Sequence, residues 1–395
     1  MATFFPDEIL ENVICRLPVK SLLRLRCVSK SWLSLISSPR FVKLHLNRSV
    51  QTKSNLSLFL ITGHEFFRWN LYSLDHDLQP PEVINHPIDG HPFRYRWYTI
   101  GSCHGLICLS NSIDDTVYLW NLSTKKSIKL PYANPSSSCY DRSYGFGYDN
   151  TNDDYRVVRT VLGRDAQGDI INYEINVYSL RSNSWHMSEK FHHCPNFESK
   201  NVIACGALHW ISGNIEEEEK SWIVAFNLGT EKYRVIPPPE YSGPHYIICL
   251  NNFEEYLSLS CHYYSNVVDV WLLNEYGGKN EYWSKLISLP PTEPQTDSPN
   301  FQSVKPVAYS KSGKKVLLQM DYISLVWYNL EDESVEDIML HDLGPFFDFY
   351  SCLESLVSVD VTAAEAAVTN AKKNSRKRKK INTKKSVDDG GVVER

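Results

Sequence analysis

The side chains of this 395-residue sequence most able to do chemistry are its cysteine and histidine neighbours. Cys103-His104 and Cys261-His262 each set a thiol beside an imidazole, the makings of a nucleophile and its base. Adjacent residues of a strand point to opposite faces, so neither pair is expected to act as one unit. His192-His193-Cys194, and Cys205 with His209, offer metal-ligand side chains. A tetrahedral site needs paired spacings such as Cys-x-x-Cys, and the sequence has none, so no metal is expected. Gly145-Phe146-Gly147 leads into a strand rather than a helix, and no glycine-rich loop ends in Lys-Ser or Lys-Thr to hold a phosphate. Those glycines read as a turn. Glu216 to Glu219 reads as a solvated hairpin tip, with a contact for a basic partner as the functional alternative. The expectation is a chain with no catalytic residue and no cofactor.

The elements that carry these residues are of two kinds. At the N-terminus, Pro6 suits a first helical position, and Asp7 and Glu8 place carboxylates at the positive end of the helix dipole. Leu10, Val13, Ile14 and Leu17 recur at helical spacing and form an apolar stripe opposite Glu11, Asn12 and Arg16. Pro18 stops this helix, because it disfavours helical geometry at Leu17 and lacks a donor. A second helix fits Val19 to Val28. Ser29 caps a third that carries Trp32, Leu33, Leu35 and Ile36, and Ser38-Pro39 starts a fourth that reaches about His45. Four helices in under fifty residues bury only part of their apolar surface against one another, so a second polypeptide is expected to cover the rest.

From about Ser54 the pattern becomes short two-residue alternations rich in Val, Ile, Tyr, Phe and Trp, separated by Gly, Asn, Asp and Ser. A repeat runs through it: Arg68-Trp69-Asn70-Leu71, Leu119-Trp120-Asn121-Leu122, Val177-Tyr178-Ser179-Leu180, Ala225-Phe226-Asn227-Leu228, Val270-Trp271-Leu272-Leu273 and Trp327-Tyr328-Asn329-Leu330. The third positions are 51, 58, 48, 45 and 57 residues apart, and further hairpins lie between them, giving about four strands per period. Such a period predicts an antiparallel β-propeller, since one four-stranded sheet cannot bury both faces until its neighbours pack on it and the ring closes. The count is six blades, with seven as the alternative number and a pair of β-sandwiches as the alternative architecture. Ile236-Pro237-Pro238-Pro239 and Leu289-Pro290-Pro291 read as stiff connections between blades.

Composition agrees with one large packed domain beside a small helical one: 42% of residues are hydrophobic and 12% aromatic, enough to fill such a core. The ten cysteines are scattered without regular spacing, and there is no signal peptide or long apolar run, so a reducing cytosolic or nuclear setting with free thiols is expected. The net charge of −5 is uneven: residues 359–395 hold ten Lys or Arg against five Asp or Glu, so the body is acidic and the tail basic.

Leu17-Pro18, Ser21-Leu22-Leu23-Arg24 and Arg26-Cys27-Val28-Ser29-Lys30-Ser31-Trp32 closely resemble the F-box motif of plant proteins, with Phe5 standing where that family usually has Leu. Gly101-Ser102-Cys103-His104-Gly105-Leu106-Ile107-Cys108, Tyr144 to Asp149 with Asp154-Tyr155-Arg156-Val157-Val158, and Gly206-Ala207-Leu208-His209-Trp210 resemble the F-box-associated domain. The diglycine of kelch repeats is largely missing. The resemblance implies a mainly β protein divided into an F-box at 1–48, a kelch-like propeller at 49–357 and a disordered basic tail at 358–395. It implies a non-catalytic substrate-recognition subunit of an SCF-type ubiquitin ligase. The helices would dock on a Skp-type adaptor, and through it on a cullin, by Pro6, Ile9, Leu10, Ile14, Leu17, Pro18, Leu22, Val28 and Trp32. The propeller would hold an unidentified protein target. The alternatives are an F-box scaffold or nuclear tether outside a ligase, and a propeller hydrolase.

In the tail, Lys372, Lys373, Arg376, Lys377, Arg378, Lys379, Lys380, Lys384 and Lys385 put nine cations into fourteen residues. A basic pair followed by a cluster suits an importin-type nuclear localisation signal, so nucleus and cytoplasm are both expected. Non-specific attraction to nucleic acid and a merely solvated tail are the alternatives; interleaved aromatic residues that would support single-strand binding are absent, so no specific nucleic acid is expected, and the lack of a long apolar run leaves no membrane as an expected partner.

Overall fold

The computed structural model describes residues 7–62, 65–71, 80–85, 97–133, 141–164, 170–189, 201–213, 221–243, 245–254, 256–290, 303–338 and 348–360. Four helices come first: α1 (Asp7–Ile14), α2 (Val19–Leu25), α3 (Lys30–Ser37) and α4 (Pro39–Thr52). Pro18 is extended and separates the first two. The Trp32 N–H donates to Ser29 Oγ at 3.2 Å and the Phe41 N–H to Ser38 Oγ at 3.2 Å, so both serines satisfy an orphan donor at a helix start. α4 runs a full turn and more beyond the expected His45, to a left-handed Lys53 with φ 49°. Tertiary packing extends it: Leu46 and Ser49 are buried, and Val42 and Val50 pack onto the β domain.

The strands follow in groups. β1 (Leu56–Thr62), β2 (Glu65–Asn70) and β3 (Glu82–Ile84) open the first blade. β4 (Trp97–Cys103), β5 (Leu106–Asn111), β6 (Val117–Asn121) and β7 (Lys126–Lys129) make the second, and β8 (Asp141–Asp149), β9 (Asp154–Arg164), β10 (Ile170–Ser179) and β11 (Ser184–Met187) the third. β12 (Val202–Ala204), β13 (Ala207–Gly213), β14 (Ser221–Asn227) and β15 (Tyr233–Ile236) form the fourth, and β16 (His245–Phe253), β17 (Tyr256–Tyr263), β18 (Val268–Asn274) and β19 (Tyr282–Leu289) the fifth. β20 (Val304–Tyr309), β21 (Lys315–Met320), β22 (Ser324–Asn329) and β23 (Val335–Ile338) form the sixth. The final strand, β24 (Asp348–Leu353), returns to the first blade and pairs antiparallel with β1, Phe59 opposite Tyr350, so the ring closes by joining its two ends in one sheet. All six sheets are four-stranded and the fold is a six-bladed propeller, which removes both the seven-blade count and the paired sandwiches.

The repeated tetrapeptide has a physical reason: it ends the third strand of each blade. Its aromatic second position (Trp69, Trp120, Tyr178, Phe226 and Tyr328) is buried between blades. Its polar third position holds the following turn: Asn121 Oδ1 accepts the N–H of Ser123 and Thr124 at 2.8 and 3.0 Å, and Asn227 Oδ1 those of Gly229 and Thr230 at 3.0 and 2.8 Å. In the fifth blade the third strand ends at Asn274, two residues past the Leu272 of the pattern, and the register shift opposite Val270 and Trp271 leaves Leu286 of β19 as the extra residue. Six apolar clusters fill the junctions between neighbouring blades among the described residues.

Two groups of glycines differ in use. His104-Gly105 and Cys205-Gly206 have φ of 51°, 81°, 51° and 72° and turn two-residue hairpins between first and second strands. Gly145 and Gly147 lie inside β8, which corrects the expected turn. A Cβ at Gly145 would lie 2.3 Å from Leu208, and one at Gly147 2.4 Å from Ile203, so these glycines let the fourth blade pack onto the third.

Candidate docking sites

The helical module has a small interior of its own. Ile14, Cys15, Val19, Leu22, Ile36 and Phe41 are buried together with Leu356, which arrives from beyond the last strand. His45 Nε2 lies 3.1 Å from the Leu17 carbonyl, and burial holds this imidazole below its ordinary pKa. Four large apolar side chains are left facing water: Ile9 is 49% exposed, Val13 57%, Val28 66% and Leu33 48%, all large values for side chains of this size. They sit on α1, in the turn after α2, and on α3.

The expected adaptor-binding residues therefore divide. Ile9 and Val28 are open, Pro18 is exposed, and Leu10, Leu17 and Trp32 are half-buried. Ile14 and Leu22 belong to the interior and present no surface to a partner, which corrects their place in the set. The side chain of Pro6 lies outside the described residues. Val13 and Leu33 were missing from the set although they are open. The signal for Val13 is its spacing of four from Ile9, a second apolar row beside Leu10 and Ile14.

Helix α4 and the segment after β24 fasten the module to the propeller. Lys43 pairs with Asp153 on the third blade at 3.0 Å, and Lys53 with Glu254 on the fifth at 2.5 Å. Asn121 Nδ2 donates to the carbonyls of Ser355 and Val357 at 3.2 and 2.7 Å, and Ser355 Oγ donates to the His104 carbonyl at 2.6 Å. Gly105 has to be glycine at this contact, since a Cβ would come within 2.5 Å of the Leu353 carbonyl. Leu356 enters the module's core, while Val357 and Val359 join Leu46 at the junction of the second and third blades.

The innermost strands surround a central cavity of about 680 Å³. That volume falls in the range of small-molecule pockets, about 300–1,000 Å³. Tyr98, Arg142, Asn251, Asn252, Lys305 and Tyr322 are among its lining residues. Close to its wall, Arg159 is 1% exposed and hydrogen-bonds with Asp115, with Tyr144 Oη at 3.1 Å and with the Ala133 carbonyl at 3.2 Å.

The cysteine and histidine candidates have structural partners. Burial pushes the Cys103 thiol up to about 12 and the His104 imidazole down to about 4, the reverse of what an activated nucleophile and base require. His104 Nδ1 lies 3.3 Å from Tyr155 Oη. His209 is fully buried, its pKa pushed down to about 3 by burial, with Nε2 2.7 Å from Tyr276 Oη. His192 to Cys194, Glu216 to Glu219 and the nine tail cations lie outside the described residues, and among those described no group of three metal-ligating side chains converges.

The chain is thus a small helical module with open apolar side chains, packed on one end of a closed six-bladed propeller. The F-box domain family matches residues 4–44, and the F-box associated beta propeller domain family matches residues 57–361, so the chain belongs to the F-box proteins that carry this propeller. It is similar to the F-box protein CPR1 of Arabidopsis thaliana, at 32% identity over 90% of this chain and 89% of that protein. An F-box/kelch-repeat protein of the same plant is 29% identical over 72% of this chain and 79% of its own length. F-box/WD-40 repeat-containing protein 1, also of that plant, is 28% identical over 90% and 89%.

Proposed function

We propose that this protein is the substrate-recognition subunit of an SCF-type ubiquitin ligase, its helices held by a Skp-type adaptor that leads to a cullin, and its propeller holding the target. Catalysis is then by proximity, because fixing a target lysine near a charged conjugating enzyme raises its effective concentration, and no residue of this chain needs to do chemistry. The observation that carries the reading is the exposure of Ile9, Val13, Val28 and Leu33 on a module otherwise packed and capped. The packing of Val42, Leu46 and Val50 of α4 into the junction of the second and third blades supports it, since a receptor must hold its target at a fixed distance from the adaptor. The basic run from Lys372 to Lys385 fits an importin-type signal, which would divide the protein between nucleus and cytoplasm.

The test is capture of a purified Skp-type adaptor by the full chain carrying Ile9→Asp and Val28→Asp. Both positions are open, so the fold should survive, whereas Leu22→Asp would place a charge in the core. Two central anchors at about 2 kcal/mol each predict roughly thousandfold weaker capture. Undiminished capture by the folded variant would overturn the assignment of this surface.

A further inference from the structure

One end of the propeller's channel is occupied by the protein's own helices. Lys43 and Lys53 of the α4 region reach Asp153 and Glu254, which sit in the turns where the innermost strands β8 and β16 finish. Among the described residues, the cavity's remaining approach is from the other end, where the innermost strands begin and where Trp97, Arg142, Lys305 and Asp348 stand. Tyr98 is exposed at this rim. Tyr264 and Ile323, in the turns between second and third strands of the fifth and sixth blades, are exposed on the same side.

Among the described residues, the two cations of this mouth are already balanced. Lys305 Nζ is 2.5 Å from Asp348 Oδ1, donates to the Phe349 carbonyl at 2.7 Å, and lies 4.4 Å from the centre of the Tyr350 ring. Arg142 is 3.0 Å from Asp115, the carboxylate it shares with Arg159. The cross-strand row Arg142, Val161, Glu174 brings a second, buried carboxylate to the same face of that blade. A phosphate entering here would have to take a cation from a carboxylate 3 Å away and then endure that carboxylate's repulsion. What the walls offer instead are the amides of Asn251 and Asn252, the hydroxyl of Ser143, and apolar surface from Ile203 and Val307.

Resting on the receptor reading above, we propose that this cavity holds the target and that it accepts an unphosphorylated, uncharged peptide segment, gripped through amide and hydroxyl hydrogen bonds with an aromatic or aliphatic side chain at the rim. The probes are two synthetic peptide pools of one degenerate sequence, with serine or phosphoserine at the centre, offered to the full chain bound to its adaptor. The serine pool should be retained at least tenfold over the phosphoserine pool. Asp348→Asn keeps the side-chain shape and strips the counter-charge from Lys305, so it should reverse that preference. Ser143→Trp fills the cavity and should abolish retention, and Tyr98→Ala, at an exposed rim position, should weaken it about tenfold. Preference of the unaltered protein for phosphoserine, retention of neither pool, or retention indifferent to both Ser143→Trp and Tyr98→Ala would overturn the proposal. Adaptor capture is measured on the same samples, so its loss would count against the receptor reading and not against the cavity.

Discussion

In the helical module, four large apolar side chains among the described residues face solvent, and the interior is completed by Leu356, more than three hundred residues further along the chain. In the propeller, apolar side chains meet their counterparts at every blade junction, and the carboxylates that lie deep are paired: Asp115 with Arg159, and Asp269 with Lys285 at 2.7 Å. The propeller's free edges are also made unattractive. Five of its six outermost strands, β3, β7, β11, β15 and β23, are only three or four residues long, too short to template pairing with another chain, and the sixth, the eight-residue β19, is interrupted by a bulge at Leu286 and carries Lys285. One region discourages incidental association while the other leaves apolar surface open, and the proposed partnership therefore falls at the N-terminus.

The contrast is broken most severely by cutting the segment the two regions share. Ending the chain after Leu353 removes Leu356, Val357 and Val359, three buried side chains worth roughly 5–9 kcal/mol together. That is comparable with the whole stability of a domain, about 5–15 kcal/mol, so module and propeller should fail together. Ending it after Asp360 should leave thermal unfolding and adaptor capture unchanged and abolish nuclear accumulation of a fluorescent fusion. Unfolding by circular dichroism and microscopy of the two truncations read both outcomes. A stable chain ending at Leu353 would mean the regions are independent.

The parts of this architecture visible in the sequence are those written in local chemistry. Ser29 and Ser38 announce helix starts, Pro18 a stop, and the six copies of the repeat, four of them aromatic-Asn-Leu, mark six third strands because the buried ring and the turn-holding side chain recur together in most blades. Long-range packing leaves no such mark. α4 continues to Thr52 because the propeller lies beneath it, and β24 joins β1 across nearly three hundred residues, with Ser57 Oγ donating to the Cys352 carbonyl at 3.1 Å. Gly145 and Gly147 resembled a turn because their constraint is Leu208 and Ile203 on another blade. The docking surface was half legible for the same reason. Periodicity finds apolar rows on α1 but does not say that Ile14 faces inward and Val13 outward.

Within the propeller, the comparison is sharpened by leaving a buried charge without its counter-ion. Asp115 has φ 59°, a conformation asparagine tolerates, so Asp115→Asn preserves backbone and shape while removing the charge that faces Arg159. The stranded guanidinium should cost about 3–5 kcal/mol in chemical denaturation of the full chain. Adaptor binding should be unaffected at temperatures where the variant stays folded. A loss under about 1 kcal/mol would mean that water reaches Arg159 and that the second and third blades are not latched there.

The smallest expected effect concerns pH at the seam between the regions. His104 stacks edge-on against Tyr148 with centroids 4.7 Å apart, and Tyr148 bonds to Asp153, the partner of Lys43 on α4. Burial pushes the His104 pKa down to about 4, whereas an unfolded histidine titrates near 6.5. The unfolded chain therefore binds the proton first as pH falls. The stabilising preference for the neutral ring is complete above about 6.5, is lost progressively down to about 4, and changes no further below that. His209, pushed down to about 3, adds a slope of the same sign that extends lower. His104→Asn suits the left-handed φ of 51° and removes one titration, so its denaturation midpoint should be lower throughout but fall less steeply between pH 6.5 and 4. An unchanged slope would mean that His104 is protonated as readily in the folded chain as in the unfolded one, and that the seam between module and propeller is wetter than its packing implies.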